Sequence, residues 1–298
     1  MRERRSVDGW MVVVIGAVVG LLSACSDQPS APSTSPTTAA TTSTSGPIPP
    51  YQQAGLAVSQ RVEDLLARMT LGEKIGQMTL VQKNSIAGVD IARLGIGALL
   101  SGGGGSPVEN TPESWAAMIR GFQAEARSSR LGIPLLYGVD AVHGHNNVYG
   151  AVIFPHNIGL GAANDADLVE AIGRITALEM VATGAFWNYA PAVSVPQDIR
   201  WGRTYEGFSE NPERVSRLAA RYIRGLQGVD LSLPTAVLAT PKHYVGDGGT
   251  AWGTSVTANY SIDQGVTEVD EATLRALHLP PYIAAIEEGA LSIMASYS

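Results

Sequence analysis

Three short segments concentrate the residue types that carry out chemistry. The first is Asp140-Ala141-Val142-His143-Gly144-His145-Asn146-Asn147, a carboxylate followed by two imidazoles and two amides. A His-x-His spacing is a metal-ligand pattern, but such a site needs further His or carboxylate ligands on later elements. Only His156, His243 and His278 remain, and His278 falls in a helical stretch. The bland reading, that His145 and His143 hydrogen-bond loop backbone, therefore outweighs the metal. The second segment is Asp198-Ile199-Arg200-Trp201-Gly202-Arg203-Thr204-Tyr205-Glu206. Arg–Glu pairs are commonplace in solvated loops. Trp201 among them points instead to a polyhydroxylated ligand, with a flat face for stacking and forked donors for hydroxyls. The third segment is Pro241-Lys242-His243-Tyr244-Val245-Gly246-Asp247-Gly248-Gly249-Thr250. The chain's lysines are Lys74, Lys83 and Lys242. A lysine at the end of an apolar strand is costly unless paired, so Lys242-His243 reads as functional.

These segments need elements to hold them. Helix and strand signals alternate along the chain. Apolar periodicity predicts helices over 58–69, 165–183 (burying Leu168, Ile172, Ile175 and Leu178) and 270–288, the last bent at Pro280-Pro281. Thr111-Pro112 and Asn211-Pro212 are helix starts, each a cap followed by Pro at the first turn. Gly184 and Gly228 are stops. Thr70 and Glu73 have the spacing of a capping box. Apolar runs at 77–81, 96–101, 134–140, 186–190, 236–245 and 291–297 read as strands. Glycines 102–105 could suggest a phosphate loop, but no Lys-Ser/Thr follows, so they read as a turn. Repeated β-then-α units imply a mainly parallel sheet. Polar residues fall at the ends of several different strands: Asp140, Lys242-His243 and Tyr297. A (β/α)8 TIM-like barrel builds its site that way, whereas an open doubly wound sheet uses one switch point.

The ends of the chain differ from its middle. Arg2, Arg4 and Arg5 precede an apolar run at 11–22, which has the form of a signal peptide. Leu22-Ser23-Ala24-Cys25 resembles a bacterial lipobox, in which Cys25 is lipidated. Residues 26–50 are rich in Ser, Thr, Pro and Ala and read as a flexible linker. Residues 51–298 form the folded domain. The chain stops at the tip of its last apolar run, so an incomplete barrel of about six of eight strands is expected.

Composition limits the functional classes. The 298 residues carry 20 Lys+Arg against 27 Asp+Glu, a net charge of -7, which gives no electrostatic reason to bind nucleic acid. An apolar content of 45% suffices for a core, and a single Cys excludes a disulfide scaffold. No metal or organic cofactor is implied.

Taken together, the motifs resemble glycoside hydrolase family 3, in its β-glucosidase and β-glucan exohydrolase branch. The resemblance rests on Lys242 to Thr250, on Arg200-Trp201-Gly202-Arg203 and on Gly138-Val139-Asp140-Ala141-Val142-His143-Gly144. Phe154-Pro155-His156-Asn157 and Met294-Ala295-Ser296-Tyr297 are similar to the same family. It implies a retaining, exo-acting β-glycoside hydrolase that removes non-reducing-end glucose from β-glucosides or oligosaccharides. Asp140 would accept from two sugar hydroxyls, Arg203, Lys242 and His243 would donate, and Met294 and Tyr297 would border the site. The carboxylate nucleophile and the acid/base are expected beyond Ser298, so no catalytic residue is named within the chain, and residues 51–298 alone are expected to be inactive. Two alternatives are a β-N-acetylhexosaminidase of the same family and a non-catalytic, lipid-tethered sugar-binding protein. The first is disfavoured because Asp247 stands where that branch carries a His. The expected location is the cell envelope, with a lipid anchor on the outer face of the bacterial cytoplasmic membrane.

Overall fold

The computed structural model describes residues 47–103, 105–257 and 259–298. The signal peptide, the lipobox with Cys25, and most of the linker lie outside the described residues. Among the described residues, no helix is long and apolar enough to cross a membrane.

Among the described residues the strand segments are β1 (Leu80–Gln82), β2 (Ala98–Ser101), β3 (Leu136–Val139), β4 (Trp187–Asn188), β5 (Leu238–Ala239), β6 (Lys242–Tyr244) and β7 (Met294–Ala295). The first five form one parallel sheet in the order β1-β2-β3-β4-β5, and β6 pairs in parallel with β7. A parallel bridge from Ala192 to Lys242 continues the pairing from the β4 chain to β6. Strand order follows chain order without reversal. That is the winding of a barrel and lacks the switch point of a doubly wound sheet.

Proline divides one expected strand. Pro241 has no N–H to donate, so the single strand expected at 236–245 is divided into β5 and β6. The neighbours still pair: Thr240 N–H donates to Ala190 O, and Lys242 N–H to Pro191 O.

The longer helices are α1 (Val58–Arg68), α4 (Pro112–Arg127), α6 (Ala166–Thr183), α7 (Pro212–Gln227) and α9 (Pro280–Glu287); α2 (Leu71–Gln77), α3 (Gly88–Leu94), α5 (Asn157–Ala163) and α8 (Glu271–Thr273) are short. Thr70 and Glu73 form the expected capping box. Thr111 caps α4 through Ser114 N–H, and Asn211 caps α7 through Arg214 N–H. Ahead of the Pro280-Pro281 pair, residues Leu274–His278 widen into a π turn, with Leu279 N–H reaching back five residues to Leu274 O.

The buried face of α6 is not the one expected. Ile172 is buried as expected, but Val169, Gly173, Thr176, Ala177 and Met180 accompany it, while Leu168, Ile175 and Leu178 stay exposed. The reason is close approach to α7. A Cβ on Gly173 would lie 2.6 Å from Tyr222 O, and one on Gly225 would lie 2.2 Å from Glu170 O. Only a residue without a Cβ permits that separation at 173, so the face that carries Gly173 turns inward. On α7 the expected residues Val215, Leu218, Tyr222 and Leu226 are all buried. The core runs from Ile91, Leu99 and Trp115 through Tyr137, Val139 and Val193 to Leu218, Ile223 and Val237.

Candidate active site

The carboxyl end of β3 and the start of β6 bring two of the three polar segments into contact. Asp140 follows β3 directly, and Lys242 opens β6. Lys242 Nζ donates to Asp140 Oδ1 at 2.6 Å. The lysine side chain is only 5% exposed and the aspartate 33%, so the ammonium sits inside with the carboxylate open on one side. A buried ammonium without this partner would be strongly disfavoured.

The loop after Asp140 is fixed from several directions. Asn188 on β4 accepts from Ala141 N–H and donates to Ala141 O, both at 3.0 Å. Asn146 Oδ1 accepts from the amides of Val142 and His143. Asn147 Nδ2 donates to Asp140 O. Asn188 carries no sequence signal of this role, because pairing to residue 141 exists only once β3 and β4 are adjacent.

The second segment closes on the third. Arg203 makes a two-pronged pair with Glu206, Nε to Oε1 and Nη2 to Oε2, both 2.9 Å. Its Nη2 also lies 3.2 Å from His243 Nε2. A guanidinium can only donate, so Nε2 accepts and the ring proton is assigned to Nδ1. That nitrogen faces Asp247 Oδ2 at 2.8 Å. Asp247 in turn accepts from Ser194 Oγ and from Gly248 N–H. Gly246, at φ 102, makes the left-handed turn that leads back to Asp247. Glu206, which in sequence has the look of half an ordinary surface pair, is thus the anchor of Arg203. Burial raises its carboxyl, but Arg203, helped by Lys242 and His243, holds it below its usual value.

His143 and His145 point apart. His145 is buried against Thr183, Nε2 to Oγ1 2.9 Å, with Trp115 edge-on at 5.9 Å. Its partner is a side-chain hydroxyl, a correction to the expected loop backbone. Thr183 Oγ1 already donates to Met180 O, so it accepts from His145 Nε2–H, and Nδ1 carries no proton. Burial lowers the His145 pKa to about 4. His143 also meets a side chain instead of backbone: its Nδ1 lies 3.1 Å from His156 Nδ1, with Tyr205 beside both rings. Burial and then His156 lower the pKa of His143.

Arg203, His243, Met294 and Tyr297 line one cavity of about 370 Å³, together with Asp247, Asp263 and Gln264. Met294 stands opposite Lys242 in the β6–β7 register. Trp201 departs from expectation. It is 3% exposed and its Nε1–H donates to Asp263 Oδ1, so it braces the cavity wall and offers no open face.

The model of the glycosyl hydrolase family 3 N terminal domain matches residues 70–298. The chain belongs to that family. A lysosomal beta glucosidase of Dictyostelium discoideum is 32% identical over 258 residues, covering 78% of this chain and 30% of the relative. A periplasmic beta-glucosidase of Salmonella typhimurium is 30% identical over 234 residues, covering 78% of this chain and 28% of the relative. The crystal structure of an exo-1,3/1,4-beta-glucanase from a Pseudoalteromonas species is 41% identical, with a TM-score of 0.73, over 80% of this chain and 30% of that one. The family 3 chain therefore has a TIM-barrel-like α/β fold, and it spans about 30% of the length of these relatives.

Proposed function

We propose that this family 3 chain supplies the sugar-holding part of a retaining, exo-acting β-glycoside hydrolase acting on β-glucosides or β-glucan oligosaccharides. The observation that carries the reading is the Lys242–Asp140 pair, closed inside and open outside. Asp140 keeps acceptor capacity for sugar hydroxyls, while Lys242 balances its charge from within. Arg203, His243, Met294 and Tyr297 line the adjoining cavity. Both ring nitrogens of His243 are engaged, by Arg203 and Asp247, so the donor role expected of His243 is corrected to one of orienting Arg203. Buried donors and acceptors of this kind discriminate hydroxyl positions, because a mismatched sugar leaves them unpaired.

The bond-breaking step in this reading uses two carboxyl groups roughly 5–5.5 Å apart, one as nucleophile and one as acid then base. Asp140 and Asp247 are occupied in holding Lys242 and His243, so neither is assigned those roles. On the family resemblance, both catalytic carboxyls are proposed to lie in sequence following residue 298. Cys25 is proposed to carry a lipid anchor at the cell envelope, a location supported by the periplasmic relative.

The test is a panel of aryl β-glycosides offered to the full-length protein. Turnover of the glucoside over the N-acetylglucosaminide supports the reading; the reverse preference, or glucose binding without turnover, overturns it. Palmitate labelling that disappears in Cys25→Ala checks the anchor.

A further inference from the structure

Besides β6, β7 and the residues that follow them, two loops line the cavity, one carrying Arg203 and the other carrying Asp263 and Gln264. The same two loops carry a second feature that the sugar-holding residues do not use. Trp252 is 52% exposed. The guanidinium of Arg200 lies over its ring, 4.1 Å from the centroid. Arg200 is itself fixed by Asp198, through Nε to Oδ1 at 2.9 Å and Nη2 to Oδ2 at 2.5 Å. Asp198 and Arg200 thus cover one aromatic face of Trp252, while about half of the residue remains exposed.

An apolar ring gains nothing from standing in water, and Trp is ordinarily among the more buried residue types. A cation over one face of an indole holds it upright and leaves the ring available to a flat, weakly apolar partner. The C–H face of a pyranose ring is such a partner. The stack is also tied to the cavity. Trp201, next to Arg200, donates to Asp263 Oδ1 in the cavity wall. The Trp252 loop is closed by Ala251 N–H to Val266 O and Gly253 N–H to Ser261 O.

We propose that Trp252, held by Arg200, is a distal sugar platform. It would stack a ring of a β-linked glucose oligosaccharide whose terminal residue occupies the Asp140–Lys242 pocket. This rests on the glycosidase reading above for the position of the terminal sugar. Glucose or a small aryl glucoside fills the pocket without reaching the platform, whereas a chain of three or four sugars engages both. Trp252 is therefore a specificity determinant for chain length, and Arg200 positions it.

The experiment is titration calorimetry of the full-length protein with glucose and with a β-1,3-linked and a β-1,4-linked glucose tetrasaccharide, alongside aryl glucoside hydrolysis. Trp252→Ala is expected to weaken at least one tetrasaccharide by about tenfold, the scale of one lost aromatic contact, without weakening glucose. Trp252→Phe should recover most of the loss, and Arg200→Ala should give part of it. Equal weakening of glucose and tetrasaccharides, or no weakening of either tetrasaccharide, overturns the platform. Loss of the aryl glucosidase activity in the unaltered protein would sink the glycosidase reading instead, and the binding comparison would still decide the platform.

Discussion

Around the end of β3 and the start of β6, Lys242, Asp140, Arg203, His243 and Asp247 hold one another by charge and hydrogen bonds. Along the seam between α6 and α7, Gly173 and Gly225 do the holding by close contact, Gly173 against Tyr222 O and Gly225 against Glu170 O. The two regions fail differently. A desolvated charge network contributes little net stability as a set, yet removing one member strands its partner. A seam of small residues contributes through packing, and added volume is what it cannot accept. The first region should govern ligand binding and the second stability.

The largest expected effect is at Lys242. Lys242→Ala leaves the Asp140 carboxylate without its ammonium, and truncating one member of such a pair costs about 2–5 kcal/mol. The expectation is a drop in kcat/KM on a β-glucoside of on the order of 10²-fold or more, with the helical circular dichroism signal retained. Unchanged kcat/KM would break the comparison at its polar end.

Acid stability comes next. In the folded protein His145 resists protonation until about pH 4, whereas its ordinary pKa is 6.5. The unfolded chain therefore binds the extra proton across that window, and stability falls as pH drops from 6.5 towards 4, by about 3 kcal/mol at most for this group. His145→Gln should flatten that part of a denaturant-midpoint profile against pH. Glu206 works at lower pH: its depressed carboxyl contributes stability above its ordinary value of 4.5 that is lost as pH falls through the folded value. Glu206→Gln should remove that acid limb.

Gly225→Ala tests the seam. Its Cβ would stand 2.2 Å from Glu170 O, so overpacking should cost about 1–3 kcal/mol in chemical denaturation. KM should not move. A raised KM with unchanged stability would show that the seam and the rim are not separable.

The smallest effect should come from Arg130→Ala. Arg130 pairs with Glu73 at 2.6 Å on the surface. Salt screens such pairs, so the change in Tm should be slight and should vanish at high ionic strength. A large loss would mean that chemistry and charge alone do not separate buried from surface pairs in this protein.

Much of this protein is legible in its sequence. The caps at Thr70, Thr111 and Asn211 depend on side chains bonding amides three residues away, and each forms as expected. The β-then-α alternation suffices for a parallel sheet, and Lys242 can be singled out because an apolar strand tolerates a lysine only with a partner. The surroundings of that pair are another matter. The bonds from Asn188 to Ala141, the His143–His156 pair and the burial of Trp201 all join residues well separated in the chain. The inward face of α6 departs from expectation because periodicity ranks side chains by apolarity, while helix contact at Gly173 and Gly225 is limited by volume. Local physics, acting over a few residues, was settled by the sequence: caps, stops, the order of elements and the polar clusters at strand ends. Which clusters meet, which aromatic is exposed and which carboxylate serves which cation depend on packing between distant segments, and only the tertiary structure decided them.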